Sequence, residues 1–292
     1  MQELYDQYKG LLFKLAYQLT GSVSDAEDVV QDVFVKLCDV PPERLAQPKA
    51  YLCRMVTNRC RDLHKSARKK REVYFGEWLP EPLLDAGEDM AEGIARDDQL
   101  SYGILVLLER LTTTERTVFV LREALGFGYG EIAELLDKRE ANCRKLFSRA
   151  CAKMGLDGEP GDRSEPAGEA WASGLLAALK QGNLERIMAL LDQEVVLISD
   201  GGGKAQAAVN PIVARERVAR FLLGVYRKTS AAAAGTGAED DWWEIVRLNG
   251  QPALRMRAGP TVHTAALLQI ERGLIHRLYF VRNPDKLRHV GR

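Results

Sequence analysis

The period of the apolar residues shifts along this chain from helical to strand-like, and that shift constrains the fold more than any other feature. Up to about Glu72 they recur at helical spacing, as in SDAEDVVQDVFVKL, where Val29, Val30, Val33, Phe34 and Leu37 share one face. Helical spacing resumes at SYGILVLLERL and continues to Met154. Beyond Trp171 the chain reads as a helix, WASGLLAALKQGNLERIMALL, then the short β-branched EVVLISD, then a second helix, PIVARERVARFLLGVYRK. The Ala-rich AAAAGTG after it reads as a surface loop. Four strand-like pieces come last, WWEIVRLN, PALRMRA, HTAALLQIE and LIHRLYFVR, with turns at Asn249-Gly250 and Arg272-Gly273. Helices first and strands last predict a multidomain chain: two all-α units, then a separate α+β domain built on an antiparallel sheet.

Local punctuation divides it further. Ser24, with Glu27 three residues on, forms a capping box, and Pro41 and Pro42 stop that helix. Pro48 opens the next helix, which ends in the run NRCRDLHKSARKKRE. From Glu77 to Asp98 the charge reverses, with only Arg96 opposing the acids, and Pro80 and Pro82 keep the segment extended. A second capping box, Thr112 with Glu115, opens a helix that Gly126 closes. GLDGEPGDRSEPAGE is a further break. The expected layout is a helical domain at 1–72, an acidic linker at 73–98, a second helical domain at 99–156, a linker at 157–168 and the α+β domain at 169–292. A chain of 292 residues is long enough for two or three such cores.

Composition excludes several classes. Lys plus Arg and Asp plus Glu both total 41, so any electrostatic message lies in their distribution. The N-terminus lacks the apolar core of a signal peptide, and no stretch approaches the roughly 20 apolar residues of a membrane span. The cysteines are five, with no CxxC pair, which argues against a disulfide frame or a zinc site and suits a reducing cytoplasm. Cys53 and Cys60 read as small core residues. His263, His276 and His289 have no metal-like spacing and read as structural. No cofactor or metal is expected.

The block from Glu131 to Lys153 has helix-turn-helix form, with EIAELL, the turn DKR, and EANCRKLFSRACAKM. Ala133 lets the two helices cross closely. Cys143, Phe147, Ala150 and Met154 fall on one inward stripe, leaving Asn142, Arg144, Lys145, Ser148, Arg149 and Lys153 outward. Arg and Lys reach phosphates and guanine edges, and Asn pairs with adenine. A plain helical hairpin with a solvated basic face has the same form. The run ending at Glu72 carries Arg59, Arg61, Lys65, Arg68, Lys69, Lys70 and Arg71 around its helix, which suits backbone tracking. Asn58 and Asp62 are short polar groups able to bond a base edge, and Tyr74, Phe75 and Trp78 are able to stack on unpaired bases.

DAEDVVQDVFVKL, YLCRMVTNRCRD and LTTTERTVFVLREALGFGYGEIAELL resemble regions two and four of bacterial extracytoplasmic-function (ECF) sigma factors, in matching order and spacing over the first half of the chain. WLPEP at 78–82, DGGGK at 200–204 and NPDKL at 283–287 look like the signature of a subgroup with a fused C-terminal SnoaL-like domain, a cone-shaped α+β fold. The resemblance implies two partners, core RNA polymerase and promoter DNA, and no membrane. Asp25, Glu27, Asp28, Gln31 and Asp32 would bind the polymerase coiled coil. Asn58, Arg61, Asp62, Lys65 and Arg68 would meet the minus-ten element, and Asn142, Arg144, Lys145, Ser148 and Arg149 the minus-thirty-five duplex. One departure is Leu146, where this helix often carries an exposed basic residue.

The C-terminal half leaves alternatives open. DGGGK lacks the spacing, the Ser/Thr and the following helix of a phosphate loop, so nucleotide binding is rejected. Its glycines read as a tight turn presenting Asp200 and Lys204 at the surface. A regulatory role is expected: Asp200, Gly201, Gly202, Gly203 and Lys204, with Asn283, Pro284, Asp285, Lys286 and Leu287, would dock on the linker at Trp78, Leu79, Pro80, Glu81 and Pro82. The leading expectation is thus a non-catalytic polymerase subunit with an attached regulatory domain. One rival is an operator-binding regulator that works without polymerase. The other is a SnoaL-like enzyme or ligand sensor fused to a DNA-binding half, with Asp200 as a general base in the cone.

Overall fold

The computed structural model describes residues 2–41, 45, 47–71, 74–85, 100–156, 168–234 and 243–291, with the side chains of 65–71 and 231–234 left aside. The chain divides into two units, one made of Met1–Val73 and Ala86–Gly161, the other of Tyr74–Asp85 and Asp162–Arg292. The twelve residues Tyr74–Asp85, from the middle of the first unit in sequence, thus pack with the second.

The first unit is all helical: α1 (Gln2–Thr20), α2 (Val23–Leu37), α3 (Pro48–Arg71), α4 (Tyr102–Leu108), α5 (Thr113–Glu123), α6 (Tyr129–Leu136) and α7 (Glu140–Met154). Gly21, at φ 69°, ends α1 and leaves Ser22 extended, so Ser22 caps α2 by accepting from the Asp25 N–H at 3.2 Å. The expected cap, Ser24, lies inside the helix instead; the left-handed glycine starts α2 two residues, about half a turn, earlier. Val29, Val30, Val33, Phe34 and Leu37 are buried, as are Leu52, Cys53, Val56 and Cys60 on α3. The capping box of α5 forms, Glu115 accepting from the Thr112 N–H at 2.9 Å. Gly126, at φ 67°, follows the end of α5.

Within this unit α5 packs on both α1 and α7. Its Arg116 is 1% exposed yet charged. The guanidinium donates to Leu108 O at 2.7 and 3.0 Å, donates to Leu19 O at the end of α1 at 3.0 Å, and pairs with Glu109 at 2.8 Å. Buried charge is tolerated only when so fully partnered, and the last carbonyls of a helix favour a cation.

The second unit contains α8 (Gly168–Lys180), α9 (Leu184–Leu190), β1 (Leu191–Asp200), β2 (Ile212–Val213), α10 (Arg215–Ala234), β3 (Trp243–Leu248), β4 (Gln251–Ala258), β5 (Thr261–Glu271) and β6 (Leu274–Val281). The strands form one sheet in the order β2-β1-β6-β5-β4-β3. Two expectations need correction. The sheet is mixed, because β1 pairs with β6 in parallel while every other pairing is antiparallel; the long crossover through α10 and β3–β5 brings β6 back alongside β1. The four alanines Ala231–Ala234 extend α10 rather than start a loop, as their high helix propensity favours; 235–242 lie outside the described residues. Asn249-Gly250 and Arg272-Gly273 both have positive φ in each residue, the conformation of two-residue hairpin turns.

One sheet face carries the helices, with α8 on β3–β5 and α9 and α10 on β1. Leu175, Leu179, Leu222, Trp243, Leu268 and Phe280 meet there around an apolar cavity of about 10 Å³, room for about one water. Ala253, Ala265, Leu267, Tyr279 and Val281 are buried outside that cluster, so the sheet is covered on its second face as well. No helix among the described residues is long and apolar enough to cross a membrane.

Candidate nucleic-acid interface and linker clamp

The helix-turn-helix is built by a sharp reversal. Asp137 takes a left-handed φ of 53°, and the Lys138 N–H returns to Ala133 O at 2.9 Å. Ala133, Cys143, Ala150 and Met154 are buried, and Phe147 stacks on Phe119 of α5 at 5.7 Å. Asn142, Arg144, Lys145, Ser148 and Arg149 are all exposed on the outer side of α7. Lys153 is exposed too but is tied to Glu115 at 2.7 Å, joining the C-terminus of α7 to the cap of α5. Burial raises the Glu115 carboxyl, but its bonds to Lys153 and Thr112 outweigh this and hold it below the ordinary carboxylate range. Arg144 is also engaged, bonded to Glu140 at 2.6 Å and seated over the Tyr129 ring at 4.5 Å.

On α3, Asn58, Arg61 and Asp62 are exposed on a helix whose Cys53 and Cys60 thiols are pushed up to about 12 by burial. The side chains of Lys65 and Arg68 lie outside the described residues. On α2, Glu27, Asp28 and Gln31 are exposed, Asp25 half-buried, and Val35 is a large apolar residue 63% exposed one turn further on. Asp32 differs from its neighbours, since Arg59 of α3 donates to it twice, at 2.8 Å each. An acid that the family resemblance assigns to the polymerase is thus also bonded inside the unit.

The third constellation lies in the second unit, where Tyr74–Asp85 runs as a strap. Its first anchor is Asp200, at the end of β1. This residue is fully buried, not presented at the surface as the glycine-rich context implied. One carboxylate oxygen accepts from the Tyr74 hydroxyl at 2.6 Å, and the other accepts from the Leu79 N–H at 2.9 Å and from Lys286 at 2.7 Å. Lys286 also donates to Leu79 O at 2.5 Å, and its ammonium lies 4.1 Å from the Trp78 ring centroid and 4.9 Å from that of Tyr74. Asn283 donates to the Tyr74 hydroxyl at 2.8 Å, and its own N–H donates to Asp200 O at 3.0 Å. Burial, followed by the bond to Asp200, pushes the Tyr74 phenol well above its ordinary range.

The glycines of DGGGK follow from this packing. A Cβ on Gly201 would lie 2.2 Å from Ala205 O in its own turn, and one on Gly202 would lie 2.3 Å from the Asn283 amide and 2.8 Å from the Tyr74 hydroxyl. Gly203 has a φ of 70°. Lys204 is exposed and pairs with Asp285, whose carboxyl that bond holds low. Pro284, Asp285 and Lys286 form a 3₁₀ turn, and Leu287 is buried after it. Leu79, Pro80, Glu81 and Pro82 are buried and Trp78 half-buried, whereas Phe75 is 64% exposed. Tyr74 and Trp78, read from sequence as free stacking platforms, here face the Lys286 ammonium.

A second anchor was not foreseen. Leu83 and Asn249 exchange bonds, the Asn249 N–H donating to Leu83 O at 2.8 Å and the Leu83 N–H to the Asn249 side chain at 3.0 Å. Leu84 bridges Leu248 in antiparallel fashion, the Asp85 N–H donates to Arg247 O at 3.1 Å, and the Gly250 N–H donates to the Asp85 carboxylate at 2.9 Å. The strap therefore ends as a stub of strand on the β3 edge. Asn249-Gly250 was legible as a turn, but a turn signal does not reveal what docks on it.

Comparison with known proteins accords with this geometry. The family model for Sigma-70 region 2 matches residues 4–70, and that for Sigma-70, region 4 matches residues 103–154. The chain is 32% identical over 290 residues to the ECF RNA polymerase sigma factor SigJ of Mycobacterium tuberculosis, covering 94% of this chain and 89% of the relative. It is 28% identical over 283 residues to the probable ECF RNA polymerase sigma factor SigI of the same species, covering 96% and 92%. The crystal structure of Mycobacterium tuberculosis extracytoplasmic function sigma factor SigJ superposes with a TM-score of 0.78 at 28% identity, covering 100% of this chain and 99% of that one. Two sigma-region matches in order, with a relative alike along nearly the whole length, establish that this chain belongs to the ECF family of RNA polymerase sigma factors.

Proposed function

We propose that this chain is a non-catalytic, cytoplasmic specificity subunit that carries core RNA polymerase to its promoters, with its C-terminal unit acting on the linker between the two sigma regions. The observation that carries the reading is the outer side of α7, where Asn142, Lys145, Ser148 and Arg149 stand exposed while the inner side packs on α5. That is the form of a major-groove reading helix. The exposed Asn58, Arg61 and Asp62 of α3 suit the minus-ten element, and Glu27, Asp28 and Gln31 with the exposed Val35 suit a basic partner helix that has an apolar seam.

The enzyme reading fares worse on its own residues. A general base must be able to reach a substrate proton, and Asp200 is fully buried with its oxygens accepting from Tyr74, Leu79 and Lys286. The cavity of the cone is apolar and holds little more than a water. Both facts favour a clamp over an active site.

Run-off transcription with added core enzyme tests the reading. The full chain is expected to direct initiation from discrete start sites on genomic fragments, and chains ending near Gly158 or near Arg282 are expected to change that output. Core enzyme that initiates identically with and without every version of the chain would remove the proposal.

A further inference from the structure

Of the six asparagines of this chain, Asn249 alone is followed by glycine; the others precede Arg, Cys, Leu or Pro. That pairing carries a chemistry of its own. The nitrogen of the following peptide can attack the side-chain amide carbon of an asparagine and close a five-membered imide ring. A side chain on the following residue obstructs the approach, and glycine has none. In the second unit the same two residues anchor the end of the strap, so docking and ring closure compete for the same atoms.

Docking engages both reacting groups. The nucleophile is Gly250 N, whose hydrogen is donated to the Asp85 carboxylate at 2.9 Å, and the carbonyl of the same glycine accepts from Arg247 at 2.7 Å. The electrophile is the Asn249 side-chain amide, whose oxygen accepts from the Leu83 N–H at 3.0 Å, while the Asn249 N–H donates to Leu83 O at 2.8 Å. Asn249 is 5% exposed. Its φ of 52° places it in the left-handed region, where ψ lies at roughly +30 to +60°. Ring closure swings the Gly250 nitrogen toward the side-chain carbon and out of that well. The bonds to Leu83, Asp85 and Arg247 all oppose the rotation.

We propose that Asn249-Gly250 is a deamidation site guarded by the strap, so that a released strap is converted with time into one that no longer docks. In the step, a bond forms from Gly250 N to Asn249 Cγ, the bond from Cγ to Nδ2 breaks, and the Gly250 amide proton leaves with Nδ2 as ammonia. Water then opens the imide at either carbonyl, giving aspartate or isoaspartate at 249. Either product damages the anchor. Aspartate adds a second carboxylate beside the turn that Asp85 already approaches. Isoaspartate inserts a methylene into the main chain between the two turn residues, which breaks the Leu248–Gln251 register and moves Gly250 N off Asp85. The proposal concerns docking within the second unit and holds whether or not the chain binds DNA or polymerase.

A reaction confined to the undocked state runs in proportion to that state's population, so each tenfold of protection corresponds to about 1.4 kcal/mol of docking. The full chain, aged at mildly alkaline pH, is followed by peptide mapping with mass spectrometry for the acid at 249, and isoaspartate is scored by enzymatic methylation. Leu83→Pro deletes the N–H that holds the Asn249 side chain, and Asp85→Ala frees the Gly250 N–H. Each should raise the rate about tenfold, and Trp78→Ala, at the other anchor, should raise it too. Thermal melting checks the fold of each variant, and the parent unfolded in urea sets the unguarded rate. A folded parent that reacts as fast as the folded variants, or as fast as in urea, would overturn the guard. Slower reaction in Asp85→Ala would overturn it as well, since the carboxylate would then be drawing the proton from Gly250 N and docking would promote the step. Aged chain carrying the product should be cut faster than fresh chain at Glu77 and Glu81 by a glutamate-specific protease; equal cutting would overturn the loss of docking.

Discussion

Asp200 and Lys286 are the pair on which the strap depends most directly. Both are buried, and they pair with each other at 2.7 Å. Removing one member leaves the other charged and desolvated, so Asp200→Asn or Lys286→Met should each destabilise the second unit by about 3–5 kcal/mol in urea unfolding. The double variant should recover a large part of that loss, because no unpaired charge remains; a double loss equal to the sum of the singles would show the pair is not coupled. Little of this was legible in the sequence. An aspartate followed by three glycines and a lysine reads as an exposed turn, since the partners that make burial affordable stand 126 and 86 residues away. The glycines pointed to the right region for a different reason: Gly202 is small because Asn283 and Tyr74 approach it, so Gly202→Ala is expected to free the strap at Tyr74.

Helices and their caps were read closely from local pattern, because a cap is decided within four residues and a stripe within a few turns. The Thr112–Glu115 box and the limits of α7 stand where spacing put them, while the start of α2 moved to Ser22 on account of one left-handed glycine. What stayed hidden was anything requiring two distant elements, such as the parallel β1–β6 pairing and the placement of Arg116. Arg116 lies in TTERTVFVLRE, where it reads as one more solvated charge of a capped helix, yet it is the best-buried cation among the described residues of the first unit. Arg116→Met should cost about 2–3 kcal/mol, since Leu108 O and Leu19 O lose their donors in a buried site. A loss below 0.5 kcal/mol by denaturant melting would refute that role. Glu115 adds a pH dependence to the same helix. Its folded carboxyl is held below the ordinary value of 4.5, so its contribution is present above that pH and disappears as pH falls through the lowered value. Melting temperatures of the parent should therefore drop more steeply than those of Glu115→Gln below about pH 4.5.

At the scale of the whole chain, the two sigma regions lie in one unit while the segment between them is held by the other. Elements named minus-ten and minus-thirty-five are about 25 base pairs apart, roughly 80 Å of duplex at 3.4 Å per pair. A compact unit of the first unit's length has a radius of gyration near 15 Å and is roughly 40 Å across, so contact with both elements at once requires its two regions to separate. The bonds to break on the way include Arg116 to Leu19 O, and the tether that must then span the distance begins at Tyr74. With the strap docked, Tyr74 and Asp85 are both fixed on a folded unit. With the strap released, the twelve residues 74–85 add up to about 40 Å of reach when extended. A fixed mount favours one spacing between promoter elements and a free tether tolerates several. Run-off transcription from a promoter of this chain, with its spacer lengthened or shortened by one or two base pairs, should therefore fall off sharply for the parent. It should fall off gently for Trp78→Ala, which removes the ring packed on Lys286 while keeping both members of the Asp200–Lys286 pair. Equal spacer profiles for the two chains, with the strap shown by proteolysis to be released only in the variant, would mean that docking does not govern how far apart the two regions reach.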